Sequence, residues 1–363
     1  MSLSAYLRRF DWLLLVAVIP LTVFGLLTMK SLGVGTDDYF FSRQLIWFAI
    51  SIAVFTGALF FDVRFFEKRT TPLLLLWSAS VALVALLFFT SSIRGVKSWF
   101  AFGPFSFEPV EPVKLALIVL LAKFFSRRHV EMGLWRHVFI SAVYAGVPLV
   151  LILRQPDLGS ALILFMIWSG LLMLSGIRLR QFFLLSGSAI LLCALLWLFL
   201  LAPYQKERVQ SFLDPLHDPQ GAGYQTLQAK IAVGSGGLTG KGIGHGTQSR
   251  LNFLPESETD FIFAAFAEEW GLAGITALFI SLGILFWRLV AIGMRARANF
   301  EQLFVLGVFL FFFTHGVIHI GMNLGMLPIT GIGLPFMSYG GSLLVISFLA
   351  LGLVQSIAIR NAS

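Results

Sequence analysis

Glu111 and Lys114 stand three residues apart at the head of an apolar run, in Ser106-Phe107-Glu108-Pro109-Val110-Glu111-Pro112-Val113-Lys114. Proline is tolerated in the first helical turn, so a helix starting near Pro109 carries Glu111 in that turn. The helix dipole favours a carboxylate there, and Lys114 shares its face. Such a pair either stabilises the helix start or marks a site. Charge inside an apolar segment is costly, which favours a site. A second carboxylate, Asp260, lies in Leu254-Pro255-Glu256-Ser257-Glu258-Thr259-Asp260-Phe261-Ile262-Phe263, where a polar stretch enters an aromatic one. Desolvation there favours proton uptake and suits a general base. The alternative is capping of the next helix by Thr259 or Asp260.

Other motifs carry weaker signals. In Arg154-Gln155-Pro156-Asp157-Leu158-Gly159 the residue types predict a turn with Asp157 capping a helix. Gly234-Ser235-Gly236-Gly237-Leu238-Thr239-Gly240-Lys241-Gly242 invites a phosphate-loop reading, but the spacing fails. The first glycine of GxxxxGK would fall on Ser235, and Gly242 replaces the Ser/Thr. Its backbone amides either approach an anion or serve a plain flexible loop. His315 and His319 are one helical turn apart without a local carboxylate or cysteine, so packed or hydrogen-bonded rings are expected rather than zinc ligands. The uncharged Gly/Pro-rich run from Asn323 to Ser342 is irregular backbone, tolerated at membrane depth where it is buried in protein or lines a cavity.

The elements that must position these groups are membrane helices. The 363 residues are 58% hydrophobic and only 12% charged, with a mean hydropathy of +0.87. Soluble domains carry about 25% charged residues. One cysteine, Cys193 in an apolar run, excludes an intramolecular disulfide framework and multi-cysteine zinc sites. About ten apolar runs are marked, near 12–29, 45–61, 72–89, 111–125, 137–153, 159–176, 181–201, 271–293, 302–322 and 341–360. The first is too long, and lacks a small-residue cleavage site, to be a removed signal peptide. The expected architecture is an all-α membrane protein, one polytopic domain over residues 1–363.

The net charge of +8 is read through topology rather than as a nucleic-acid surface. With the N-terminus inside, the inner side collects Arg8, Arg9, the clusters at 64–69, 123–136 and 288–297, Arg178, Arg180 and Arg360. Short outer loops receive only Lys30, Arg43, Arg94, Lys97 and Arg154. Both termini are therefore placed inside, and the long connection of about 202–270 outside. The stretch from Asp260 to about Gly293 exceeds one span, so a break is expected near Trp270-Gly271, leaving Glu268 and Glu269 near the outer interface.

Taken together, these segments resemble the SEDS family (shape, elongation, division and sporulation), in its elongation branch. The likeness rests on Gly95-Val96-Lys97-Ser98-Trp99, Phe107 to Lys114, and Gln155-Pro156-Asp157-Leu158-Gly159. It continues through Gln228 to Gly237, Gly246-Thr247-Gln248-Ser249, Phe253-Leu254-Pro255-Glu256, Thr259 to Phe263 and Pro335 to Ser342. Two positions depart from the family pattern: Glu108-Pro109-Val110-Glu111 replaces Gln-Pro-Ser-Glu, and Glu258 stands where histidine is usual. Glu258 also brings negative charge two residues from Asp260.

The resemblance implies a peptidoglycan glycosyltransferase that polymerises lipid II at the outer face of the bacterial cytoplasmic membrane during elongation. Undecaprenyl diphosphate leaves, and the donor linkage is inverted. A sugar hydroxyl is a weak nucleophile, so Asp260 is implied as general base. Glu111, Lys114, Lys97, Arg208, Lys230 and Lys241 are implied on the substrate side. The departing diphosphate needs such positive charge or a divalent cation. The implied partners are a class B penicillin-binding protein and the elongation machinery. A lipid II flippase and a non-catalytic scaffold are the competing functions. A flippase would show polar residues along the whole crossing, and a scaffold would not need Asp260 or the Glu111–Lys114 pair.

Overall fold

Runs of Leu, Ile, Val and Phe that close their backbone hydrogen bonds internally are what a lipid environment demands. The computed structural model describes residues 9–33, 38–89, 98–102, 105–128, 134–178, 180–181, 183–185, 187, 203–214, 221–251 and 253–361. The first half holds α1 (Trp12–Leu32), α2 (Tyr39–Phe60), the short α3 (Arg64–Lys68), α4 (Thr70–Leu86), α5 (Val110–Ser126), α6 (Trp135–Arg154) and α7 (Leu158–Leu174). After them come α8 (Pro203–Leu213), α9 (Ala222–Ser235), α10 (Thr247–Arg250), α11 (Ile262–Arg295), α12 (Asn299–Asn323) and α13 (Gly341–Asn361).

Among the described residues, seven helices are long and apolar enough to cross a membrane: α1, α2, α4 with its extension to Phe89, α6, α11, α12 and α13. α7 is apolar but has 17 residues, and α5 is equally short and carries Glu111, Lys114 and Lys123. Each expected run coincides with a helix except 181–201, most of which lies outside the described residues. This is a mostly helical, multi-pass membrane protein. α5 forms its centre: nearly every residue from Val113 to Phe125 is buried, with α4, α7 and α12 packed around it. α13 runs along α2, and α11 along α1 and α12.

Two features refine the expected architecture. Residues Phe100–Phe102 and Phe105–Phe107 form an antiparallel hairpin, β1 and β2, with Phe100 opposite Phe107. The alternation Phe-Ala-Phe and Phe-Ser-Phe about Gly103-Pro104 has the two-residue period of a strand. Much of the long connection of about 202–270 is also helical, in α8, α9 and α10.

The break expected near Trp270-Gly271 is present: Gly271 has φ 62° and ψ −160° inside α11. A broken helix leaves backbone groups without intrahelical partners. Here the glycine-rich segment supplies them. Leu272 N donates to Gly237 O (2.9 Å), Ala273 N to Leu238 O (3.0 Å), and Lys241 N and Gly242 N to Glu268 O and Glu269 O (3.0 Å each). A Cβ on Gly240 would come within 2.0 Å of Glu269 O, so only glycine admits this approach. Two of the amides that the sequence offered to an anion, those of Lys241 and Gly242, are therefore committed to the helix break.

Candidate functional site

Pro109 occupies the N-cap of α5 and Glu111 its first turn, as the sequence predicts. Lys114 Nζ donates to Glu111 Oε1 at 2.6 Å, and both side chains are buried. The same ammonium donates to His315 Nε2 at 3.4 Å from α12. Glu111 Oε2 is buried and has no hydrogen-bond partner among the described residues. Just before the helix, Glu108 N donates to Ser342 Oγ at 2.9 Å, fastening the start of α5 to the start of α13. Burial first, and then the Glu111 charge, push the Glu108 carboxyl up to about 8.

Asp260 sits half-buried in the turn before α11. The N-cap of that helix is Phe261, whose side chain makes no cap bond. Asn323, at the end of α12, fills that role from outside. Its Oδ1 accepts from Ala264 N (3.1 Å), while its Nδ2 donates to Asp260 O (2.9 Å). The Gly/Pro-rich segment after α12 lies against the Asp260 turn. A Cβ on Gly331 would lie 3.6 Å from Asp260 Oδ2. Ser338 Oγ donates to Thr259 O (2.8 Å), and Tyr339 N donates to Glu258 O (2.8 Å). The capping bond of Asp157 to Ser160 N (2.9 Å) does form at α7. Glu258 lines a small cavity with Asp38, and burial raises its carboxyl, with Glu256 adding to the shift.

The four remaining cations separate sharply. Lys230 on α9 is exposed, and its stem lies over Gly325, where a Cβ would come within 1.8 Å of Lys230 Cε. Lys241 is engaged already: Nζ donates to Glu268 Oε1 and Thr247 Oγ1, each at 2.8 Å. Glu268 is buried and also accepts from the backbone N–H of Thr247, Gln248 and Ser249 and from both of their flanking hydroxyls. Arg208 belongs to α8, and Lys97 lies outside the described residues. No group of three or more His, Cys, Asp or Glu able to hold a metal ion occurs among the described residues.

Sequence reading missed Asn323, Ser338 and Ser342 as the ties of this region. Their signal was faint but physical. A buried Asn or Ser in an apolar setting needs a partner, and irregular backbone offers many.

The FtsW/RodA/SpoVE cell cycle protein model matches residues 8–363. The chain is 37% identical over 351 residues to the peptidoglycan glycosyltransferase MrdB of Escherichia coli K12, covering 96% of this chain and 93% of that protein. It is 36% identical to the probable peptidoglycan glycosyltransferase FtsW of Haemophilus influenzae, covering 98% and 91%. A solved chain from a peptidoglycan synthase complex that coordinates polymerization and crosslinking aligns with a TM-score of 0.82 at 30% identity, covering 97% and 98%. The rod shape determining protein RodA of Thermus thermophilus aligns at 0.72 and 26% identity, covering 98% of each chain. By sequence and by fold, the chain belongs to the SEDS family of FtsW/RodA/SpoVE cell cycle proteins.

Proposed function

We propose that this chain is a peptidoglycan glycosyltransferase that polymerises lipid II at the outer face of the bacterial cytoplasmic membrane during elongation. Its helices cross about ten times with both termini inside, and a class B penicillin-binding protein is its partner. The bias of Lys and Arg supports the orientation, and the names of the relatives support the activity. The observation that carries the reading is the shared support of Asp260 and Lys230. The Asp260 carboxylate lies beside Gly331 and the uncommitted Lys230 stem over Gly325, on one Gly/Pro-rich segment. A half-buried carboxylate can take the proton of a sugar hydroxyl. An exposed ammonium reaching over the same segment from α9 can meet a departing diphosphate, which leaves without a proton and so needs no general acid. Displacement at the anomeric carbon then inverts the donor linkage.

Glu111 and Lys114 support this centre from within the protein rather than from its surface, because both are buried. The decisive test is lipid II polymerisation by the purified complex with Asp260→Asn. Asparagine keeps the shape and loses the base, so turnover should fall by roughly 10²–10⁴-fold, while co-purification with the partner is kept. Full turnover in Asp260→Asn would refute the base assignment.

A further inference from the structure

His315, His319 and Asn323 recur every four residues on α12, so they line one face over about 12 Å. All three are buried in the protein. Each touches a backbone carbonyl of a segment that is otherwise irregular. His315 Nδ1 is 3.2 Å from Gly333 O, and His319 Nδ1 is 2.7 Å from Ile332 O. Asn323 Nδ2 donates to Asp260 O at 2.9 Å and to His319 O at 2.8 Å. A carbonyl can only accept, so each ring carries its proton on Nδ1. The Nε2 lone pair of His315 is then turned to the Lys114 ammonium at 3.4 Å. A protonated Nε2 would instead present N–H to a cation.

One rigid helix face thus joins the Glu111–Lys114 pair at one end to the Asp260 turn at the other, with the Gly331–Gly333 backbone held between them. We propose that His315, His319 and Asn323 are positioning residues that set the offset of Asp260 and the Gly331–Gly333 segment from the buried ion pair. The proposal rests on Asp260 being the base. The row acts through backbone carbonyls and touches no reacting atom, so loosening it should lower kcat and leave KM for lipid II alone.

A polarity-matched pair of variants tests this. The amide nitrogen of Asn overlays Nδ1 of His, whereas that of Gln overlays Nε2. His319→Asn keeps the donation to Ile332 O, and His319→Gln does not. In the lipid II assay with the purified complex, His319→Gln should lose roughly 10- to 100-fold in kcat with KM unchanged. His319→Asn should recover most of that loss. Equal losses in both variants, an unchanged kcat in His319→Gln, or a rise in KM alone would each overturn the proposal. If His319→Gln fails to co-purify with the partner, Asn323→Asp decides. It keeps the volume and turns both donations into oxygen–oxygen repulsion, so kcat should fall at constant KM, and an unaltered kcat refutes the ladder. Asp260→Asn runs alongside as a control. Full turnover there removes the base reading itself, whereas an inactive Asp260→Asn beside a fully active His319→Gln removes only the ladder.

Discussion

Among the described residues two Glu–Lys pairs are built on a buried glutamate, and they are finished differently. At Glu268 both carboxylate oxygens are satisfied by backbone N–H groups, hydroxyls and Lys241, whose side chain is 28% exposed. At Glu111 one oxygen is held by Lys114 and the other has no hydrogen-bond partner among the described residues. Lys114 itself is 1% exposed. A satisfied carboxylate anchors structure and tolerates the loss of one donor among many. A half-satisfied one in a dry setting is held by a single contact, and natural proteins keep such imperfections mainly at functional sites. The first pair folds the loop over the broken helix. The second is the pair we propose for the working region.

The same substitution made in each pair is the strongest way to break this comparison. Lys114→Ala strands a buried carboxylate and should cost about 3–5 kcal/mol, with polymerisation largely lost. Lys241→Ala removes one donor among several from Glu268 and a partly exposed cation, so about 1 kcal/mol or less is expected. Polymerisation should then be little affected. Thermal midpoints in detergent and turnover of lipid II check both. Equal losses of stability in the two variants would show that the pairs are equivalent.

A smaller effect is expected at the support beneath the Glu268 loop. Gly271 occupies a backbone region open in practice only to glycine, and a Cβ there would lie 2.3 Å from Gly240 N. Gly271→Ala should cost about 1–3 kcal/mol from strain. It should also speed amide hydrogen exchange at Leu272, Ala273, Lys241 and Gly242, whose N–H groups span the break. Unchanged exchange at those four amides would show that the loop holds without the helix break.

Much of this was legible in the sequence, for identifiable reasons. Helix runs are long and uniformly apolar, so their existence follows from length and hydropathy alone. Glu111 and Lys114 announced themselves as charges three apart behind prolines, and the break at Gly271 followed from a stretch too long for one crossing. What escaped is of two kinds. The hairpin at 100–107 is short, and its period-two signal is easily taken for part of an apolar run. The ties through Asn323, Ser338 and Ser342 join residues far apart in the chain, which no local pattern encodes. The Lys241–Glu268 contact is of the same kind, since its partners are 27 residues apart.

The smallest expected effect sharpens the comparison by titration. Glu108, two residues before α5, has its carboxyl pushed up to about 8 by burial and by the Glu111 charge, against an ordinary value of 4.5. Between those two values the folded protein keeps a proton that the unfolded chain has released. Stability therefore falls as pH rises from about 4.5 and levels off above about 8. Glu108→Gln cannot ionise and lacks this slope. Its thermal midpoint should match wild type at the acid end and exceed it by a growing margin up to about pH 8. The Lys114 charge draws the Glu108 carboxyl downward. Removing it should therefore carry the slope of Lys114→Ala to still higher pH. Parallel pH profiles for wild type and Glu108→Gln would show that Glu108 is ionised throughout, and that the region around Glu111 is better solvated than its burial indicates.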